Sequence, residues 1–552
     1  MKNFYIINST VILMLMTISL GIIWFIEGLC ILKGVSTIGN VILIMNYQNM
    51  LFTPVNYITE FYNKYKTAET AANSLYEFLD TKNEGDNDEI KFKSSIHTIE
   101  FKKTNFAYDE QNILINAEMI LKKGQISAIV GPSGIGKSTI VEEFAKSEYD
   151  DYLILDFALE GEEVKENFVK NIGKLDVFFR NLFLLKEKSL KGKRCAIIFD
   201  EVQFFPVARQ AIKYLVKDGR YDYIETGSLI SIKKNVKDIL IPSEEYRIKM
   251  WPMDFEEFLW ANNDDFTFSI IKEAFDYRKP LGDAIHNKIM TKFREYLVVG
   301  GMPQAVESFV NGETYEQIDF VKRNILSLYQ EDLAKYDDEN HEKASVVFKT
   351  IPEQLENKNS HFKMSKVDKN ARYQNYIDAI SFISESMIGN ECINVTQPEI
   401  SLELYADRSN FKLYMMDTGL LISMIMASSS TTEDNIYKSL IFNKLSINQG
   451  MIIENMVAQM LRSSGHELYF HEYMYASKDK KEHKYEIDFI TLRKKKICPI
   501  EVKSSGYNSH KSFDYFIEKY PIKVEDRFII YTKNFKYEDG ITYIPLYMTM
   551  LI

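Results

Sequence analysis

Sulfur has little to do in this chain: there are only four cysteines in 552 residues. Cys30, Cys195, Cys392 and Cys498 lie far apart and make no C-x-x-C pair. That spacing argues against a disulfide framework and a thiolate zinc site, and a reducing interior is the default. No repeat of fixed period and no low-complexity tract is present, so a repeat array is not expected. A surplus of positive charge is missing too. The formal net charge of −11 argues against a surface that binds nucleic acid over its whole extent and leaves room only for a local basic patch. What remains is ordinary globular material, 46% hydrophobic and 26% charged, long enough for three or more domains of about 100–200 residues each.

Charge is also absent from most of the first sixty residues. None occurs from Asn3 to Ile26, nor from Gly34 to Thr59. Val11 to Ile26 holds ten Val, Ile, Leu or Phe residues, which favour membrane insertion by roughly 3 to 6 kcal/mol. The run is too long for the apolar core of a signal peptide, and no small-residue cleavage site follows it. The second segment contains Asn46, Gln48, Asn49 and Asn56 and suits a helix packed against partners better than one facing lipid. Lys2 on one side, and Lys64 and Lys66 on the other, place both ends of the expected hairpin in the cytoplasm.

After a helical stretch, Glu60 to Leu79, and an acidic linker, the pattern changes to strands. Thr98-Ile99-Glu100-Phe101 alternates, and Gln125 to Val130 is a short apolar run. Further apolar runs at Tyr152–Asp156, Cys195–Phe199, Tyr223–Thr226 and Tyr246–Met250 are separated by helix-like segments. Buried strands alternating with helices predict a doubly wound parallel sheet. Pro252 to about Asp332 reads as helical, broken at Gly300-Gly301-Met302-Pro303. Lys343 to Ser423 reads as mixed and mostly helical, and Ile452 onward returns to α/β.

Gly131-Pro132-Ser133-Gly134-Ile135-Gly136-Lys137-Ser138-Thr139 fits G-x-x-x-x-G-K-[ST] between an apolar strand and a helix. Chance gives on the order of 0.02 such matches in a chain of this length, so the plain glycine turn is the weaker reading. The glycines, Gly131, Gly134 and Gly136, with Ser133 and Thr139, would turn backbone N–H groups around the phosphates of ATP. Lys137 would neutralise them, and the Ser138 hydroxyl would hold Mg²⁺. Cys195 to Glu201 is an apolar strand ending in two acids. Asp200 would hold the Mg²⁺ shell and Glu201 would orient the attacking water; Thr226 or Ser228 would sense the γ-phosphate.

Up to the phosphate loop the chain resembles an ABC exporter. The resemblance rests on Phe52-Thr53-Pro54-Val55, Ala68-Glu69-Thr70-Ala71-Ala72, Leu75 to Asp80, Phe106-Ala107-Tyr108, Ile113-Leu114 and Lys123-Gly124-Gln125. It implies that Tyr108 stacks on adenine. It then stops. No LSGGQ-like signature, Q-loop or switch histidine follows in context, and only two membrane helices precede the nucleotide region. From the phosphate loop onward the chain resembles prokaryotic AAA-type ATPases with a C-terminal domain of the restriction-endonuclease kind. That likeness rests on Phe199-Asp200-Glu201-Val202-Gln203, Thr226-Gly227-Ser228, Trp251 to Phe258, Tyr296 to Pro303, Phe411 to Leu420 and Ile453-Glu454-Asn455.

Tyr485 to Ile490 alternates as a strand, and Cys498 to Lys503 is a second. Asp488, Glu501 and Lys503 fit the D…E-x-K pattern, with Glu454 as the helical acid. Asp488 and Glu501 would hold a second metal ion, with Lys503 polarising a water. The basic runs Lys478 to Lys484 and Arg493 to Lys496 lie nearby; solvated loops are their plainer reading, and nucleic acid is the partner they would serve.

The expected fold is multidomain α/β. A transmembrane hairpin with a linker helix covers 1–80, and a β-rich lead-in of the ABC type covers 81–130. A P-loop AAA-type core follows over 131–250, a helical lid-like region over 251–335 and a helical, winged-helix-like region over 336–440. A PD-(D/E)xK-like α/β domain covers 441–552. The function expected is a membrane-anchored ATPase coupled to a nuclease-like or nucleic-acid/effector-binding domain, with the ATPase in the cytoplasm and a homo-oligomer among its partners. The alternatives are an incomplete exporter subunit and a degenerate fusion that binds ATP without turnover.

Overall fold

The computed structural model describes residues 98–108, 111–122, 126–228, 245–337, 342–356, 361–369, 371–426, 436–438, 449–476, 482–504, 511–520 and 526–552, with scattered positions between 21 and 47. The chain divides into two compact units, Met1–Ser95 and Ile96–Ile552. Most of the expected membrane hairpin lies outside the described residues. Among those that are described, no helix is long and apolar enough to cross a membrane, while Ile22, Trp24, Phe25 and Leu32 are exposed.

The second unit opens with β1 (Thr98–Tyr108) and β2 (Gln111–Lys122), an antiparallel pair that forms a sheet of its own. The phosphate loop belongs to another sheet. Its five strands are β3 (Ile126–Gly131), β4 (Asp151–Asp156), β5 (Cys195–Asp200), β6 (Asp222–Ser228) and β7 (Glu245–Lys249), in the order β4-β5-β6-β3-β7. Every pairing in it is parallel. Such a sheet must be covered on both faces, which is why its strands read as continuous apolar runs rather than alternating ones. Ala128, Val130, Leu153, Leu155, Ile197 and Phe199 point to one side, where α2 (Glu162–Asn171), α3 (Leu175–Leu185) and α4 (Pro206–Asp218) cover them. Ile129, Ala196, Ile198 and Ile224 point to the other, under α1 (Lys137–Glu148). The doubly wound parallel sheet is therefore present, and its first strand is β3.

A helical layer follows: α5 (Phe255–Ala261), α6 (Thr267–Asp276), α7 (Asp283–Val299), α8 (Pro303–Val310), α9 (Tyr315–Asp337) and α10 (Lys343–Glu356). α5 starts on a capping box, the Asp254 carboxylate accepting from the Glu257 N–H while Glu257 accepts from the Asp254 N–H. α7 ends at Gly300, where the chain turns sharply. A Cβ on Gly301 would lie 2.1 Å from the Met253 carbonyl oxygen, so only glycine lets the two backbones meet there.

The remaining elements are α11 (Ile377–Glu385), β8 (Gly389–Val395), β9 (Ala406–Met415), α12 (Thr418–Ile425), α13 (Gln449–Ser463), β10 (Leu468–Ala476), β11 (Glu482–Arg493), β12 (Lys496–Val502), α14 (Lys511–Lys519), β13 (Phe528–Tyr531), β14 (Lys536–Glu538) and β15 (Ile541–Pro545). They build an eight-stranded mixed sheet in the order β14-β15-β13-β12-β11-β10-β8-β9. This differs from an independent helical, winged-helix-like region over 336–440. β8 pairs with β10, across the boundary expected at 440/441. One hydrophobic core runs from Phe255 and Phe293 through Phe348, Phe411 and Tyr414 to Phe470, Phe489 and Tyr547. The reason is burial: the core-facing residues of α5 to α12 have no other apolar surface to cover, so the lid-like, middle and C-terminal stretches are a single packed body.

Candidate functional site

The loop after β3 wraps into the start of α1. Gly134 and Gly136 take positive φ, 79° and 81°, and Gly136 is the residue that caps α1. A side chain at Gly136 would be strained in that backbone, and the turn it makes leaves the first N–H groups of α1 directed into the loop. Lys137 is buried, and its ammonium donates to the carbonyls of Gly131 at 3.0 Å and Pro132 at 2.8 Å. Burial pushes its pKa down to about 8, against the opposing pull of Glu201, Asp200 and Asp332.

The acids arrive from β5. Ser138 Oγ donates to Asp200 Oδ1 at 2.9 Å, and Thr226 Oγ1, from the intervening strand β6, donates to the same oxygen. Asp200 thus collects both hydroxyls at the carboxyl edge of the sheet, where ligands of such sheets bind. Hydroxyl and carboxylate oxygens are the hard donors that Mg²⁺ takes alongside phosphate, so the Ser138–Asp200 pair fits that ion. Glu201 sits at φ 51, a left-handed conformation uncommon outside glycine. Its carboxylate accepts from the Gln203 amide, and burial lifts its pKa above the usual range. Thr139 is exposed on α1. Of the expected nucleotide residues, Lys137, Ser138, Asp200, Glu201 and Thr226 are brought together. The Tyr108 and Ser228 side chains lie outside the described residues.

Two features of this site carry no motif. α9 lies against the loop: Tyr329 donates to the Ser133 carbonyl at 3.2 Å, and Ser133 Oγ donates to Asp332 Oδ2 at 3.2 Å. The other end of α9 is fixed in the large core. Asp319 accepts from Ser423 Oγ at 2.6 Å, from Tyr437 and from Arg323 Nε at 2.7 Å. Lys322 is fully buried and donates to the Val298 carbonyl at 2.8 Å. Acidic and aromatic residues in a helical pattern look like any solvated face, so nothing in the sequence marked them.

In the C-terminal sheet the expected carboxylates do converge, but around a lysine. Lys412 of β9 is buried and donates to Glu454 at 2.9 Å and Glu486 at 2.6 Å. Tyr414 donates to the same Glu454 oxygen at 2.5 Å. Asp488 accepts from the Val502 N–H at 2.7 Å, and Glu501 accepts from Lys503 at 2.5 Å and Ser512 at 3.0 Å. Burial, then the neighbouring Glu501 and Glu454, hold the Asp488 carboxyl well above its ordinary range. Burial likewise pushes Glu486 up to about 7, with Lys412 pulling the other way. Lys412, Glu454, Glu486 and Asp488 line one side of a cavity of about 390 Å³ that is also lined by Phe362, Leu413 and Met451. Of the residues expected to hold a second metal ion, Glu454 is engaged by Lys412 and Tyr414, Glu501 by Lys503 and Ser512, and Asp488 by the Val502 N–H. Among the described residues no group of three or more His, Cys, Asp or Glu side chains could hold one. The ammonium of Lys412 supplies positive charge to Glu454 and Glu486. A lysine inside the apolar run Phe411 to Met416 was the signal that could have revealed it.

Three family models match separate stretches of the chain: an AAA domain over residues 123–259, and domains of unknown function, DUF8612 over 290–431 and DUF4143 over 449–549. An uncharacterized ABC transporter ATP-binding protein, YfiC of Bacillus subtilis, is 31% identical over 208 residues, 37% of this chain and 30% of that one. An ATP-dependent lipid A-core flippase of Photorhabdus laumondii is 23% identical over 184 residues, 33% of this chain and 31% of that one. A bacterial Atm1-family ABC exporter with ATP bound aligns at 16% identity over 41% of this chain and 51% of its own, with a TM-score of 0.20. The chain spans less than a third of the length of these curated relatives. The protein is a P-loop ATPase with AAA-type and ABC-like sequence similarity.

Proposed function

We propose that this ATPase converts nucleotide state at the phosphate loop into a change in the large C-terminal body, which serves as its effector, and that the N-terminal hairpin holds it at the cell membrane with the ATPase in the cytoplasm. The observation that carries the coupling is α9, hydrogen-bonded to the loop at one end and to α12 and its surroundings at the other. About 20 Å of helix separates Asp319 from Asp332, and a helix of that length moves as a unit. The anchor is supported by the uncharged runs before Thr59 and by the exposed Ile22, Trp24, Phe25 and Leu32. Metal-dependent nuclease chemistry forms no part of the proposal: Lys412 holds Glu454 and Glu486, and Lys503 holds Glu501.

In this reading Lys137 leaves the Gly131 and Pro132 carbonyls for the β/γ-phosphates. Ser138 and Asp200 would hold the Mg²⁺ that accompanies ATP, which would draw charge from the phosphoryl oxygens. Thr226 keeps the Asp200 carboxylate aimed. Glu201, lifted by burial, accepts a proton from the attacking water at its carboxylate while Gln203 fixes its direction. Hydrogen exchange on the full chain tests site and coupling together. ATP added to Glu201→Gln should be bound without turnover and should alter protection along α9 and through Phe411–Ile425. Lys137→Ala should show neither. Turnover by Glu201→Gln at the parental rate, or protection confined to 126–228, would sink the proposal.

A further inference from the structure

A carboxylate held against a phosphate loop is out of keeping with a site built for a polyanion. Asp332 Oδ2 takes the Ser133 hydroxyl, and its side chain is only 15% exposed. Its charge is felt by Lys137, beside which Asp200 and Glu201 already stand. Around it, Tyr329 donates to the Ser133 carbonyl, and Ile325 and Met302 approach Gly134. Lys335, one turn along α9, lies 3.3 Å from the other Asp332 oxygen and is largely exposed, so it screens the carboxylate without neutralising it at the loop.

Resting on the reading of Gly131–Thr139 as the ATP site, we infer that Asp332 is a positioning residue that sets nucleotide affinity: its carboxylate holds the Ser133 hydroxyl at the loop and repels entering phosphates. Like charges in a partly buried cleft repel strongly enough to matter at several ångströms, whereas a neutral group of the same shape would not. The clamp makes ATP work against Asp332 as it binds. That work falls on the end of α9 that carries Asp332.

The test is equilibrium binding of ATP, ADP and adenosine to the full chain, with Lys137→Ala alongside. Asp332→Asn should tighten ATP by about tenfold, ADP less, and adenosine not at all, because the repulsion scales with phosphate charge. Asp332→Glu should restore parental affinity. Ser133→Ala, which removes the hydrogen bond and leaves the charge, should not reproduce the gain. Unchanged or weaker ATP binding by Asp332→Asn overturns the inference, as does equal tightening of all three ligands. If Lys137→Ala still binds ATP, the phosphate-loop reading itself fails, and that outcome is distinct from failure of the clamp alone.

Discussion

Lys137 keeps a charge in a place that disfavours it. Its pKa of about 8 lies below the ordinary lysine value of 10.5, mainly through burial. The sign of the consequence follows from which state holds the proton. Between about pH 8 and 10.5 the unfolded chain binds the proton and the folded one does not, so this group's contribution to stability rises with pH across that window. Bound phosphate favours the ammonium, so the pKa climbs when ATP enters. Affinity should therefore be flat below about pH 8 and fall as pH rises beyond it, by at most about tenfold per unit. Calorimetry at about pH 8.5 in buffers of different ionisation enthalpy should show proton uptake on binding. An affinity that does not change from roughly pH 7.5 to 9 would refute the assignment.

β9 places Lys412 among acids contributed by α13 and β11, so one strand determines whether that region can exist. Lys412→Ala would leave Glu454 and Glu486 without their cation, and breaking a buried pair in this way costs about 3–5 kcal/mol. Chemical denaturation should report that loss, and Glu486→Gln in the same chain should recover part of it. The loss should be largest above about pH 7, where Glu486 is ionised, and shrink as acid neutralises it. No measurable destabilisation would mean the lysine is a bystander. The contrast with the phosphate loop explains what could be read in advance. Gly131 to Thr139 is nine adjacent residues whose chemistry is fixed by their spacing, and β5 announces itself by six buried residues ending in an acid. Lys412 meets partners 42 and 74 residues away, and Ser133 meets Asp332 across 199. Contacts at such separation leave no period or motif, only an isolated polar residue in an apolar run or an acid on a helix.

At the level of the whole chain, the two candidate places to cut differ in what they would break. Met1–Ser95 is a compact unit separate from the rest, whereas a boundary at 440/441 divides the body formed by α5 to β15. A cut at 440/441 removes β8 and opens the edge of β10, where Leu468, Tyr469 and Phe470 pair with Cys392, Ile393 and Asn394. It takes away Lys412, and it strips α7 of the Tyr547 hydroxyl that meets His286 at 3.0 Å and the turn after α6 of the Asp526 carboxylate that meets Arg278 at 3.2 Å. Each core side chain exposed by the cut costs about 1.5–3 kcal/mol, so a few of them exceed the stability of a typical domain. Residues 441–552 alone should be aggregated or unfolded by circular dichroism. Residues 96–552 should fold, bind ATP with parental affinity and leave the membrane fraction of fractionated cells, whereas the full chain should resist carbonate extraction. If the full chain is extracted by carbonate, the anchor is wrong. If 441–552 folds cooperatively by itself, the shared core is not what holds the C-terminal sheet together, and α9 would have no continuous body through which to act.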